Sequence, residues 1–390
     1  MGSWQYLKRA RREPRAGKVE ALLDAKLKGV EWGEFRIGDL FEKIKTKKLH
    51  YKANDLPKQI TGKHTLPCLT SSFQNQGLNY FVPREGATIL KNVISIPSNS
   101  DIYRAYFQAN EFTVLSDAYA IRWIFNNLTL SNNQSLFVVQ SINKITDLPI
   151  YSYKNKLGGW NIVKNKYIQL PTKNNEIDFE FMENFIAELE AKKIARLEAY
   201  LVENGLKEYR LSQEEEEVLR DFESGNIEWG EFKYKNIFDK IKQGRRLKKD
   251  DHIQGDIPFV MAGTTNTGVA NYISNPIASF PKNSITIDIF GNTFYRSYGF
   301  GAGDDTGVYW SSENKYSKEE MLFFTVSMAK SVLGKFDYGT KLRSSQSVNF
   351  EMKLPTKNNQ PDYALMQTLI SAVQKMVVKD VVLYVEGKRS

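Results

Sequence analysis

At 390 residues the chain has room for two ordinary domains with connecting elements, and its composition (41% hydrophobic, 25% charged) is that of a soluble globular protein. A formal net charge of +9 favours a polyanionic partner through steering and counterion release. The sequence has no apolar run of about 18 residues, which excludes a membrane-spanning helix. Its one cysteine, Cys68, excludes an internal disulfide or CxxC metal site, and the scattered His50, His64 and His252 exclude a zinc cage.

In chain order, residues 1–29 form a basic arm with Arg9, Arg11, Arg12 and Arg15, then a short helix. No apolar core follows the charges, so the arm is not a secretory signal, and a cytoplasmic protein is expected. Val30-Glu-Trp-Gly-Glu-Phe35 then runs on through Leu40 to Lys45 into a cluster containing Lys45, Lys47, Lys48 and Lys52. Short β-type runs follow, among them Asn92 to Ile96 and Ala118 to Ile124, broken by turn signals such as Asn75-Gln-Gly77 and Ser98-Asn99. Leu170-Pro-Thr-Lys-Asn-Asn175 closes the segment, and Asp178 to Leu201 reads as a helix without Gly or Pro.

Residues 203–226 form an acidic linker with a short helix around Glu214-Glu-Glu-Glu217, expected to be a solvated face, with the basic arm as an alternative contact. The chain then says nearly the same thing again. Ile227-Glu-Trp-Gly-Glu-Phe232 restates the first phrase at an offset of 197 residues, from Trp32 to Trp229. Leu354-Pro-Thr-Lys-Asn-Asn359 repeats Leu170 to Asn175 letter for letter, now at an offset of 184. Tyr151-Ser-Tyr answers Phe336-Asp-Tyr, and Ile102-Tyr-Arg-Ala-Tyr106 is aligned with Phe294-Tyr-Arg-Ser-Tyr298. Ser284 to Phe290 reads as a strand and Lys318 to Leu333 as a helix, while Gly299-Phe-Gly-Ala-Gly303 reads as a flexible turn, not a cofactor loop. A period near 190 is a duplicated domain, not a solenoid. Each copy is expected to be α/β (α+β), with a mixed, curved sheet.

The second copy also ends in a helix, Asp362 to Val385. Its apolar stripe Met366, Ile370, Val373, Val377, Val381, Tyr384 matches Met182, Ile186, Leu189, Lys193, Leu197, Tyr200 in the first. The average step of about 3.6 keeps the stripe on one face. Lys193 interrupts it but can lay its stem along the stripe. Antiparallel pairing of two such helices, each about 36 Å long at 1.5 Å per residue, would give a pseudo-twofold rod holding two globular domains apart. The alternative is that each helix packs on its own domain.

Two divergent repeats, each followed by a similar long helix and framed by W-G-E-F and L-P-T, resemble the specificity subunit of Type I restriction–modification systems. They are also similar to Type IIB target-recognition subunits. The resemblance covers about residues 30–390. It implies target recognition domains at 30–176 and 227–360, spacer helices at 177–202 and 361–390, and a bipartite DNA site read one half per domain. It also implies methyltransferase and possibly restriction subunits as partners, and a non-catalytic chain without a cofactor or metal of its own.

Base edges are read by short polar and basic side chains, and phosphates are held by Lys and Arg. The candidates in the first copy are Lys45, Lys47, Lys48, Lys52, Ser71, Ser72, Gln74 and Asn75. In the second they are Gln243, Arg245, Arg246, Lys248, Lys249, Thr264, Thr265, Asn266, Arg343, Ser344, Ser345 and Gln346. There is no Walker loop, GxSxG or NPPY-type tetrapeptide, and Asp178, Glu190 and Lys192 read as ordinary helix surface. A duplicated protein- or RNA-binding scaffold without DNA sequence preference is the alternative.

Overall fold

A computed structural model describes residues 22–388; Arg9, Arg11, Arg12 and Arg15 of the basic arm lie outside them. The chain divides into two compact units, residues 1–196 and 197–390. The first runs β1 (Glu31–Arg36), β2 (Phe41–Lys43), β3 (His64–Leu69), β4 (Leu78–Pro83), β5 (Val93–Pro97), β6 (Tyr106–Gln108), β7 (Thr113–Val114), β8 (Ala118–Trp123), helix α1 (Asn132–Thr146), β9 (Tyr167–Lys173) and β10 (Glu176–Ile177). Helix α2 (Phe179–Glu203) follows and crosses the division between the units. The second runs α3 (Gln213–Glu223), β11 (Trp229–Lys233), β12 (Lys240–Gln243), β13 (Gln254–Val260), β14 (Val269–Ile273), β15 (Ser279–Phe280), β16 (Ser284–Asp288), β17 (Thr293–Arg296), β18 (Phe300–Ala302), β19 (Thr306–Trp310), α4 (Lys318–Val332), β20 (Glu351–Lys357), β21 (Gln360–Pro361) and α5 (Tyr363–Gly387).

Instead of one mixed, curved sheet, each unit holds three small ones. Their strand orders are β1-β9-β10, β2-β8-β5-β6 and β4-β3-β7 in the first, and β11-β20-β21, β12-β19-β16-β17 and β14-β13-β18-β15 in the second. Among the described residues each unit has one parallel pair, β3 with β7 and β13 with β18. The strands are short because left-handed turn residues such as Asn75, Asn92, Asp117 and Asn283 stop them.

The framing phrases recur because they are each other's ladder partners. Trp32 sits opposite Pro171 and Gly33 opposite Leu170, while Trp229 sits opposite Pro355 and Gly230 opposite Leu354. A Cβ on Gly33 would lie 2.7 Å from Thr172 Cγ2 and 2.8 Å from the Phe35 ring; on Gly230 it would lie 2.6 Å from Thr356 Cγ2. The glycine of one phrase therefore makes room for the threonine of the other. The asparagine pair closes a two-residue hairpin with both φ values positive, 54° and 62° at Asn174 and Asn175 and 53° and 59° at Asn358 and Asn359. Beyond the hairpin, Asp178 accepts from the Phe181 N–H at 2.8 Å and Asp362 from the Leu365 N–H at 3.0 Å, so each carboxylate caps its long helix.

Each unit has its own core, and the two long helices begin inside these cores. Met182 is fully buried among Phe137, Ile168 and Leu170, with Ile186 packed alongside. Met366 and Leu369 are buried among Phe324, Met352 and Leu354, with Ile370 alongside. This corrects the expectation for Met182, Ile186, Met366 and Ile370, which serve their own units. Farther along, Val373, Val377, Val381 and Tyr384 are exposed, as is Tyr200, while Ala372, Val382, Val385 and Leu201 are buried. The buried positions thus flank the stripe read by periodicity, one residue before it at Ala372 and one after it at Val382, Val385 and Leu201. Leu189 and Leu197 are half-buried.

Two more expectations change. Gly299 to Gly303 is no flexible turn: Phe300, Gly301 and Ala302 form buried β18, and a Cβ on Gly301 would meet Pro276 at 2.5 Å. The acidic linker helix α3 is solvated at Glu216 and Glu217, but Glu215 is buried, pairing with Lys375 at 2.8 Å and accepting from Ser371 Oγ at 2.7 Å on α5. In the first unit the polarity is reversed, with Lys26 of the helical stretch 22–28 pairing with Glu188 of α2.

Candidate nucleic-acid interface

In the second unit the parallel strands β13 and β18 end together, and the loop 261–268 leaves from that end. Met261 N donates to Gly268 O at 2.9 Å and closes the loop. Two carboxylates hold its base: Asp305 accepts from Ala262 N and Asp288 from Gly263 N, both at 2.9 Å. Asn266 and Thr267 have φ of 49° and 52°, followed by Gly268 at 83°. A Cβ at Gly268 would lie 2.7 Å from Met261 O, so glycine is needed both for its φ and for the close approach. Thr264, Thr265 and Asn266 stand exposed at the tip.

The basic run arrives at the same strand end. Gly244 N donates to Thr306 O and Arg245 N to Ala302 O, both at 2.9 Å, and a Cβ on Gly244 would overlap Gly303 O at 2.1 Å. The chain can pass this close only as glycine. It sends out Arg245, Arg246, Lys248 and Lys249, all exposed and without ion pairs among the described residues. Other candidates prove to be internal ties. Gln243 donates to Asp304 O at 2.9 Å and accepts from Ser344 N at 2.8 Å; Arg343 donates to Asp304 O; Gln346 accepts from Arg343 N at 2.8 Å. Ser344 is buried, and only Ser345 of this group is exposed with no side-chain bond among the described residues. A side-chain amide next to unpaired backbone groups satisfies those groups first.

The first unit repeats the construction. Strands β3 and β7 end together, Leu115 N donates to Leu69 O at 2.9 Å, and Thr70 N donates to Gly77 O at 2.9 Å across the loop 70–77. Asn75, Gln76 and Gly77 have φ of 45°, 53° and 87°, the same left-handed trio as in the second unit. The loop borders an open cleft of about 790 Å³ whose walls include Ser71, Ser72, Gln74, Asn75, Asp101 and Tyr153. Neighbours hold its backbone, with Ser100 Oγ donating to Ser71 O at 2.9 Å and Tyr106 Oη to Phe73 O at 3.1 Å. Asn75 Nδ2 is engaged with Leu78 O at 2.6 Å. Lys45, Lys47, Lys48 and Lys52 are exposed, and Ala53, next to Lys52, reaches the cleft wall.

Two exposed aromatic residues escaped the sequence reading, one of them at the first unit's cleft. Tyr153 is half exposed and lines the cleft; Tyr338 is 81% exposed with Lys341 Nζ 4.5 Å from its ring centroid. The signal was present, because they are the third letters of the matched Y-S-Y and F-D-Y phrases. Another matched phrase misleads. Ladder pairing sets Ser95 opposite Tyr106 and Thr286 opposite Phe294, so Tyr106, not Ile102, is the counterpart of Phe294. By the same register Gln108, opposite Val93, corresponds to Arg296, opposite Ser284. Arg104 instead pairs with Asp147 at 2.7 Å, and Tyr103 is core.

Among the described residues there is no cluster of His, Cys, Asp or Glu that could hold a metal, and no helix long and apolar enough to cross a membrane. Burial pushes the Cys68 thiol up to about 12.

The family profile of the Type I restriction modification DNA specificity domain matches this chain twice, over residues 29–199 and 226–379. The specificity subunit S.BcgI of a Type II restriction enzyme from Heyndrickxia coagulans is 24% identical over 355 residues, covering 90% of this chain and 96% of that protein. The crystal structure of a Type I restriction–modification S subunit from M. genitalium has a similar fold, with a TM-score of 0.59 at 13% identity over 92% of each chain. With two copies of the domain spanning most of its length, the chain belongs to the Type I restriction modification DNA specificity family and is a non-catalytic subunit that recognises DNA sequence.

Proposed function

We propose that the chain reads a bipartite duplex, one half-site per unit, through the loops 70–77 and 261–268, with Lys45, Lys47, Lys48, Lys52, Arg245, Arg246, Lys248 and Lys249 on flanking phosphates. One observation carries this: both units build the same left-handed loop on the same parallel-strand end, yet the tips differ, Ser72-Phe-Gln-Asn75 in one and Thr264-Thr-Asn266 in the other. An identical mount with different hydrogen-bonding tips suits two readers of different base sequences.

In this reading the half-sites are spaced by the helical region to which α2 and α5 belong. The family's partners, methyltransferase and possibly restriction subunits, dock on this helical region in the cytoplasm. An apolar groove of about 910 Å³ supports such docking in the second unit, bordered by Phe222, Trp229, Val326, Val373, Met376 and Val377. At the positions matching Met376 and Val377 the first unit has Lys192 and Lys193.

Selection of duplexes from a random pool by the full chain with its methyltransferase subunits tests the proposal. A bipartite motif is expected. Exchanging residues 72–75 should alter one half of the motif only, and exchanging residues 264–266 the other half only. Enrichment without any motif would instead support a scaffold without sequence preference.

A further inference from the structure

We infer that Gln108 and Arg296 are positioning residues for DNA reading, each a buried donor that fixes the apex of its unit's recognition loop from the strand beneath. This rests on the reading of those loops given above. Gln108 Nε2 donates to Gln76 O at 3.2 Å and to Ser95 Oγ at 3.0 Å. Arg296 Nη2 donates to Thr267 O at 2.6 Å, its Nη1 to Thr267 Oγ1 at 3.1 Å, and its Nε to Thr286 Oγ1 at 3.0 Å. The targets correspond one to one: the carbonyl of the middle left-handed residue, and a hydroxyl two residues along the neighbouring strand from the clamp's own ladder partner.

Asparagine adopts positive φ readily, as in the framing hairpins, but Gln76 and the β-branched Thr267 do so at a cost that persists where surroundings over-determine the conformation. A single buried donor on the carbonyl between Asn75 and Gly77, or between Asn266 and Gly268, supplies that constraint. The preceding asparagines fold back on the same loop, Asn75 Nδ2 donating to Leu78 O at 2.6 Å and Asn266 Nδ2 to Val269 O at 3.5 Å.

Arg296 is an unusual choice for a purely structural tie. It is 1% exposed and has no carboxylate partner among the described residues. Its charge is offset by the Phe294 and Phe300 rings, with centroids at 5.3 and 6.0 Å, and by Tyr298 Oη at 3.3 Å. Gln108 makes the corresponding contacts without a charge, so the shared element is the donor geometry.

The test uses the full chain with its partner subunits and the selected bipartite duplex, alongside duplexes with one half-site scrambled. Arg296→Met keeps bulk but removes every donor, and it should cut discrimination at the second half-site about tenfold, the scale of one mismatched base pair. First-half discrimination should stay within about twofold, because the first loop is clamped independently. Arg296→Gln installs the other unit's clamp and should restore most of the loss, a rescue that a mere packing role would not give.

Should Arg296→Met fail to fold, Gln108→Met carries the same test on the first half-site. A folded Arg296→Met that still discriminates, or an Arg296→Gln no better than it, overturns the inference. The double variant Thr265→Ala/Asn266→Ala separates the two readings. If it abolishes second-half discrimination while Arg296→Met does not, only the clamp fails. If it changes nothing, the loop is no reader and both readings fall.

Discussion

Removing the charge of Glu215 should open the linker helix without unfolding the second unit. The carboxylate accepts from the Ser212 N–H at 2.7 Å as part of the α3 capping box, from Ser371 Oγ at 2.7 Å, and pairs with Lys375 at 2.8 Å. Burial alone would raise its pKa, but the Lys375 ammonium, the Ser212 N–H and the Ser371 hydroxyl outweigh it and hold the group at about 2 against an ordinary 4.5. At about 1.4 kcal/mol per pH unit this is worth roughly 3 kcal/mol at neutral pH. The folded pKa is depressed, so the contribution is complete above pH 4.5 and is lost as pH falls towards 2. Glu215→Gln leaves Lys375 partly buried without its anion and should cost about 2 kcal/mol. Hydrogen exchange of residues 213–223, read by mass spectrometry, would rise about thirtyfold at pH 7. A Glu215→Gln/Lys375→Met cycle should show coupling of about 1–2 kcal/mol. Unchanged protection of α3 in Glu215→Gln, or coupling below about 0.3 kcal/mol, would refute the argument. The corresponding Lys26–Glu188 pair is far more exposed, and breaking it with Lys26→Met should leave exchange of 22–28 unchanged.

Other outcomes can be checked as directly. Gly230→Ala should destabilise the second unit by about 1–3 kcal/mol through overpacking, and Thr356→Ser, which removes the crowding methyl, should recover part of this in urea titration. Buried and pushed up to about 12, Cys68 should resist iodoacetamide at pH 8 in the native chain and react only on unfolding, as followed by mass spectrometry. Replacing Arg245 and Arg246 by Ala should lower the slope of log affinity against log salt by about 0.9 for each phosphate no longer neutralised. In salt titrations of DNA binding, an unchanged slope would remove both residues from the backbone contacts.

What could be read from the sequence was what the two copies need in common. The letters of E-W-G-E-F and L-P-T-K-N-N are constrained by one another, through Gly33 against Thr172, Gly230 against Thr356, and paired left-handed asparagines. Helix boundaries were also legible, because Asp178 and Asp362 cap their helices through local contacts. Tertiary competition was not legible. Gln243 and Arg343 looked like surface donors but face backbone groups folded against them from about 40 to 100 residues away, and Ser344 is buried. Periodicity gave the helices an apolar stripe, but it could not tell which of its residues are buried or which part serves the unit's own core. That depends on Met182 and Met366 meeting strands that no local pattern reveals.

Likeness of letters and likeness of structure diverge most at the candidate recognition loops. Aligning Tyr-Arg with Tyr-Arg joins Arg104 to Arg296, two residues with different partners, and conceals that Gln108 and Arg296 reach the corresponding carbonyl from the same ladder position. The framing hairpins need particular letters because their atoms meet each other. A clamp needs only a buried donor of sufficient reach, which an amide or a guanidinium can supply. The exposed tips have still fewer constraints, since Gln74 and Thr265 are open to solvent. Such a gradient, from fixed letters at the frame through fixed geometry at the clamp to free chemistry at the tip, lets one mount carry two different readers in a single chain.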